Sequence, residues 1–335
     1  MEQNFEDLKK RADNGDIQAA YSVFENEVAR VEKRDRLADY PSMFYYGQIA
    51  ADGGNTKAMV TLGKIFKEFG ENNYHLGYTA DHKTWLFYSE DYNATTIDSS
   101  SAFEIPSNVW IINCGEFYKY FAKAAEINNS EGAFLYGECL YHGIGGPDGT
   151  QWLKKDTSEA YKWMQKAYKG GFVNGKILSY FSDYYLFGLP PCSVDKKKAF
   201  DIMRHAVTYD DCFIGVNSNL ANACYNGDGI PVDYETAFEL CEKMQEDEYQ
   251  EVMSDNDKWV TYSILANSYK EGKGTSKSLG KSLSYSWKAY SHSMGILALI
   301  VFPFRAIYDI LTYPFAKSEK SQSKIGLPDI DFLKQ

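Results

Sequence analysis

Along most of this chain apolar residues recur at intervals of three and four, the spacing that gathers them on one face of an α-helix. Short polar breaks rich in glycine separate these runs, and no long alternating stretch of β-branched residues marks a strand. The pattern predicts an all-helical chain. The breaks also resemble one another. "LANACYNGDGIPVDYETAFELCEKM" begins at Leu220, "LANSYKEGKGTSKSLGKSLSYSWKAY" at Leu265, "FSDYYLFGLPPCSVDKKKAFDIMRHAV" at Phe181 and "LYGECLYHGIGGPDGTQWLKKDTSEAYKWMQKAY" at Leu135. Each runs a helix into a glycine, then a polar turn, then a second helix.

The glycines are Gly143, Gly188, Gly227 and Gly272, where a left-handed residue would close the first helix. The second helix has a small or medium first core position, at Ala160, Ala199, Ala237 and Ser282. Two turns later on the same face stand Ala167, Ala206, Met244 and Ala289. From turn glycine to first core position takes ten residues at Gly227–Ala237 and at Gly272–Ser282, eleven at Gly188–Ala199 and seventeen at Gly143–Ala160. The longer two are the same turn with residues inserted. Small residues at these positions let paired helices approach closely, with aromatics filling the space against the next pair.

This turn is similar to that of the Sel1-like repeat family, helix-turn-helix relatives of the tetratricopeptide repeats. The family form Y-x-x-G-x-G-V-x-x-D-x-x-K-A is matched nearly whole by "CYNGDGIPVDYETA" and in part by "YKEGKGTSKSLGKS". "DKKKAF" keeps its D-x-x-K-A element, and "KYFAKAAEINNSEGAFLYGE" and "AADGGNTKAMVTLGKIF" resemble its junctions between repeats. Those junctions add two earlier repeats. One runs over about 17–54, with Met43 and Ala50 at second-helix core positions. The next pairs a helix at 57–69 with one at 117–128 carrying Ala124. The resemblance implies a right-handed α-solenoid of about six degenerate repeats over 1–293.

Two segments depart from the period. Residues 70–116 form an insertion in the second repeat, rich in Tyr, Trp, Asn and Ser and predicted to be irregular. Insertions in repeat arrays emerge on one face, often the binding face, so Trp85, Tyr88 and Trp110 are candidate contacts; packing onto their own repeat is the competing account. Residues 294–316, "MGILALIVFPFRAIYDILTYPFA", are almost wholly apolar, with Ile296, Leu297, Leu299, Ile300, Phe302 and Phe304 at their centre. Three accounts compete: a helix capping the open end of the array, an in-plane membrane anchor, or a partner surface. Capping is preferred, because an array end exposes an apolar face. Residues 317–335 are predicted to be a flexible tail.

Composition narrows the function. With 44% apolar and 16% aromatic residues the chain has ample surface to bury. Its net charge of −11, without a Lys/Arg cluster, argues against nucleic acid; the acidity mostly serves solubility and would also favour a basic partner. Six cysteines without CxxC pairing indicate buried thiols in a reducing compartment. The N-terminal "MEQNFEDLKKRADNGD" has no apolar signal region. The expected location is cytoplasmic, or peripheral at an inner membrane if residues 294–316 touch lipid.

No catalytic, metal or cofactor site is expected. Asp228 and Asp233 flank Gly229 and Pro231, but Ile230 and Val232 occupy alternate positions where a calcium loop needs oxygen ligands. Asp233 reads instead as an N-cap. The five histidines never fall at i, i+4 spacing. The positive signal is tyrosine on the first helices, which line the concave face in the resembling family. Tyr141, Tyr184 and Tyr225, with Glu138, Asp183 and Asn222 beside them, are the candidate groove, although core packing accounts for any single ring equally well. The expected function is a non-enzymatic protein-binding scaffold or adaptor. The resemblance implies a bacterial setting and, in its most specific form, an immunity protein neutralising a basic toxin. The alternatives are a membrane-tethered assembly factor and, last, a hydrolase.

Overall fold

A computed structural model describes residues 2–33, 39–71, 74–79, 85–89, 109–112, 114–145, 151–316 and 326–335. The architecture is all-α, a succession of helix-turn-helix repeats with two small sheets, divided into units of residues 1–172 and 173–335.

The first unit opens with α1 (Glu2–Asp13). Three helix pairs follow: α2 (Ile17–Glu32) with α3 (Tyr40–Asp52), α4 (Thr56–Glu71) with α5 (Tyr118–Glu126), and α6 (Ser130–His142) with α7 (Thr157–Lys169). Short polar side chains start these helices by accepting from orphan backbone N–H groups, as Asp16 does from Ala19 and Asp156 from Glu159. The pairs close because one member is small where the other is large. A β-carbon on Gly47 would stand 2.8 Å from the Phe24 ring, and one on Gly63 2.5 Å from Phe121. Phe24, Phe44, Phe66 and Phe121 are completely buried, and Phe44 and Phe66 stack at 5.9 Å. Each such ring contributes about 1.5–3 kcal/mol by leaving water. Met43, Ala50 and Ala124 lie in this core as the repeat pattern predicts.

The insertion is not wholly irregular. Strands β1 (Tyr74–Thr79), β2 (Trp85–Ser89) and β3 (Val109–Ile112) form an antiparallel sheet in the order β2-β1-β3, pairing Leu76 with both Phe87 and Ile112. Runs of four to six residues are too short to display a period of two, so the sequence pattern did not show them. A second hairpin, β4 (Ile144–Gly145) with β5 (Gln151–Leu153), occupies the lengthened α6–α7 turn. Gly143 therefore leaves α6 at φ 74°, ψ 167°, in an extended direction and not in the left-handed helical conformation its position suggested.

The second unit continues the repeat with α8 (Gly175–Phe187) and α9 (Lys196–Ala206), then α10 (Ile214–Asn226) and α11 (Tyr234–Lys243). The short α12 (Asp247–Val252) precedes α13 (Asp255–Glu271) and α14 (Leu279–Met294). Gly188, Gly227 and Gly272 are left-handed C-caps as expected. In "YNGDGIPVDYETAF" Asp233 caps α11, accepting from Thr236 N at 3.0 Å and Thr236 Oγ1 at 2.8 Å, while Ile230 is buried. The stretch is a repeat turn. Ala199, Ala237 and Ser282 are buried, as are Ala206, Met244 and Ala289 two turns on.

Helix α15 (Ala298–Thr312) ends the array. It packs on α14 through Phe302, which meets Trp287 at 5.2 Å, yet of the predicted capping residues Ile296, Leu297, Leu299, Ile300 and Phe304 all stay exposed. The cap is one stripe only, because Ala298 and Asp309 are the two buried residues of the helix. Residues 317–325 lie outside the described residues. Residues 326–335, read from sequence as flexible, instead dock. Leu333 is completely buried, Phe332 meets Tyr185 edge-on at 5.7 Å, and His205 Nε2 hydrogen-bonds the Pro328 carbonyl. Apolar residues spaced three apart, Ile330 and Leu333, supply the anchor that the polar character of the tail concealed.

Candidate functional site

The turn glycines place the last residues of each first helix at an edge where side chains are neither core nor fully solvated. In the second unit Tyr225, one residue before the last of α10, lies half-buried with its ring edge-on to Tyr234 at 5.3 Å. Lys273, from the turn after α13, stands over both rings, 5.4 Å from Tyr225 and 4.6 Å from Tyr234. Burial pulls the Lys273 ammonium down, but hydrogen bonds to Glu271 and Tyr234 outweigh it and hold the group above the ordinary lysine value. The lysine stays charged, and the rings are held by it. Asn222, one turn earlier on α10, is exposed and its side-chain oxygen accepts from Asn226 Nδ2 at 2.9 Å. Asp183, on α8, is half-buried.

Tyr184 is a correction. Its ring is completely buried, on the stripe that also carries Ile177 and Phe181, so it fills the core and cannot touch a partner while α8 is folded. Positions 177, 181 and 184 share one helical face, and that face turns inward.

In the first unit Tyr141 is half-buried, edge-on to His142 at 5.0 Å and beneath the Lys155 ammonium at 5.4 Å. Glu138, one turn earlier, is half-buried and pairs with Lys67 at 3.5 Å. Glu138, Lys67 and His142 border a cleft of about 360 Å³ floored by Phe117 and Trp152. Trp152 lies so close to Gly115 that any β-carbon there would collide with the indole. Tyr118 Oη fixes the strand carrying it by donating to the Trp152 carbonyl at 3.0 Å. The backbones of Trp85, Tyr88 and Trp110 pair in the insertion sheet, with Tyr78 opposite both tryptophans and His75 opposite Tyr88; their side chains lie outside the described residues.

Lys273 and Lys155 had no signal in the sequence, since a lysine in a polar turn is usually solvated. The ring-before-glycine spacing of Tyr141 and Tyr225 is what could have found them. A second open cleft, of about 800 Å³, lies where the α9–α10 loop meets α12, lined by Asp210, Asp211, Cys212, Glu248 and Tyr249. Among the described residues, no group of three His, Cys, Asp or Glu side chains is placed to hold a metal ion.

Residues 130–172, 178–206 and 217–244 match the Sel1 repeat. These stretches are the pairs α6–α7, α8–α9 and α10–α11. No curated protein matches the chain. Among solved structures it is similar to a Sel1 repeat protein from Oxalobacter formigenes, at 14% identity over 82% of this chain and 87% of that one, with a TM-score of 0.47. It is also similar to c5321, a protective antigen present in uropathogenic Escherichia coli strains displaying an SLR fold. That likeness is 15% identity over 93% of this chain and 71% of the other, with a TM-score of 0.41.

Proposed function

We propose, from the premise that the chain carries three consecutive Sel1 repeats, that it is a non-enzymatic scaffold or adaptor that binds another protein. The observation that carries this is a half-buried tyrosine near the end of a first helix, Tyr225, edge-on to the buried Tyr234 ring that opens α11. Tyr225 and Tyr234 are held in place by Lys273, with the exposed amide of Asn222 beside them. Rings already immobilised lose little entropy on binding, which is why such tyrosines anchor protein interfaces. A net charge of −11 favours a basic partner, and neutralising a cognate toxin is the specific form of that reading.

Affinity recovery from native cells, followed by mass spectrometry, tests it. Tyr225→Ala and Tyr141→Ala should each lower recovery of the dominant partner about tenfold, the loss of one anchoring ring, with unfolding curves unchanged. Tyr184→Ala should instead cost about 3–5 kcal/mol of stability as a buried-aromatic deletion. Undiminished recovery with both surface variants would refute the role of these rings.

A second reading has its own observation. Most of the large apolar side chains of residues 294–316 are exposed, which favours tethering such a scaffold to a membrane through that segment.

A further inference from the structure

Helix α14 ends at Gly295, at φ 54° and ψ −127°, a conformation open to glycine. The chain turns there and α15 runs back along α14. Phe302 lies against Trp287 and Tyr290, and at the far end Lys277 Nζ donates to the Ala316 carbonyl. Asp309 is completely buried between two cations, accepting from Lys270 Nζ at 2.6 Å and from Arg305 Nε at 2.9 Å. The inward stripe of α15 is thus Ala298, Phe302, Arg305 and Asp309.

The rest of the helix and the turns that flank it are largely apolar and open. Ile296 is 81% exposed, Ile300 64%, Phe304 71%, Leu311 66% and Phe315 82%. From Leu299 through Ile300 and Phe304 to Tyr308 the open side chains sweep roughly 180° at 3.6 residues per turn. Packing on one neighbour takes a stripe of roughly 100°. An apolar medium on all outer sides suits this arc better than a single groove does.

Charge gives the medium its identity. Between Glu271 and Asp309 there is no acidic residue, while Lys273, Lys277, Lys281, Lys288 and Arg305 are basic. Lys317, Lys320 and Lys324 follow, against Glu319 alone. In a chain of net charge −11 the apolar helix sits within a stretch of positive sequence.

We propose that α15 lies in the plane of an anionic lipid bilayer, its apolar arc among the acyl chains and the exposed Lys277, Lys281 and Lys288 at the headgroup phosphates. This rests on the tethering reading above and names its partner and geometry. The helical run through Phe315 is long and apolar enough to cross a bilayer, but crossing would carry Arg305 and Asp309 into hydrocarbon and strip α15 from Trp287 and Lys270 on its repeat. The buried Lys270–Asp309 pair holds the helix to its repeat, so insertion requires no unfolding.

The test is flotation of the full chain with phosphatidylcholine vesicles, with and without phosphatidylglycerol. The chain should float with the anionic vesicles, about tenfold less with neutral ones, and less as salt rises. Ile300→Asp combined with Phe304→Asp should abolish flotation while circular dichroism and recovery of the protein partner stay unchanged, so this proposal and the scaffold reading fail separately. Equal flotation with neutral vesicles, or none with either, would overturn the proposal. So would binding that resists alkaline carbonate, which indicates a span. A dimer by light scattering that the same substitutions dissolve, without flotation, would assign the face to a second copy of the chain.

Discussion

Asp309→Ala removes a carboxylate shared by two cations. In the native unit Asp309 is 1% exposed and Lys270 10%, so the substitution leaves the Lys270 ammonium buried without its acceptor. Breaking a buried pair from one side costs about 3–5 kcal/mol, most of it the penalty on the stranded charge. The Tyr308 ring, 4.8 Å from Lys270 Nζ, retains a cation–π contact and offsets part of that. The expected loss is about 3 kcal/mol. For a unit of this size that lowers its melting temperature by about 6–12 °C. Urea unfolding followed by circular dichroism measures it, with the singles Lys270→Met and Asp309→Leu and the double variant Lys270→Met/Asp309→Leu forming a separate cycle. The double variant should lie within about 1 kcal/mol of the native chain, because two apolar groups replace the pair, and the coupling should exceed about 2 kcal/mol. A cost below about 1 kcal/mol for Asp309→Ala, the size of a surface pair, would show that α15 is not seated on its repeat. The helix would then have no fixed inward stripe and no fixed outer arc.

Two further outcomes follow from the repeat turns. Asp233→Ala removes the acceptor for Thr236 N and Thr236 Oγ1, and should cost about 1–2 kcal/mol in the same assay; an unchanged midpoint would deny Asp233 its capping role. Burial pushes the Cys224 thiol up to about 11, whereas an unfolded cysteine ionises near about 8.5. As pH rises the unfolded chain releases its proton first, so stability is intact below about 8.5 and is lost between there and about 11. Between pH 8 and about 10.5 the native chain should therefore lose stability faster than Cys224→Ala, and parallel curves would count against a buried thiol.

The repeat was legible because it is a local, repeated physical requirement. A glycine to end a helix, an aspartate to begin the next and a small residue where two helices touch are each visible at fixed spacing. That is why Gly188, Gly227, Gly272, Asp233, Ala199 and Ala237 are found where the pattern placed them. The candidate groove was legible only in part. Tyr184 and Tyr185 are adjacent and chemically identical, but one is completely buried and the other half-buried against Phe332. A rotation of about 100° per residue separates core from surface, and the sequence carries no mark of which tyrosine faces which way.

The sequence by itself determined the helices, their pairing through turns and the order of the repeats, because capping and close packing act between residues near in the chain. Tertiary structure alone decided the rest. It put Asp309 beside Lys270, thirty-nine residues earlier, and it laid residues 326–335 on α8 and α9. It also left one side of α15 open to its surroundings. Those outcomes depend on which distant surfaces meet, and an apolar run looks the same in sequence whether its side chains end in a core or outside it.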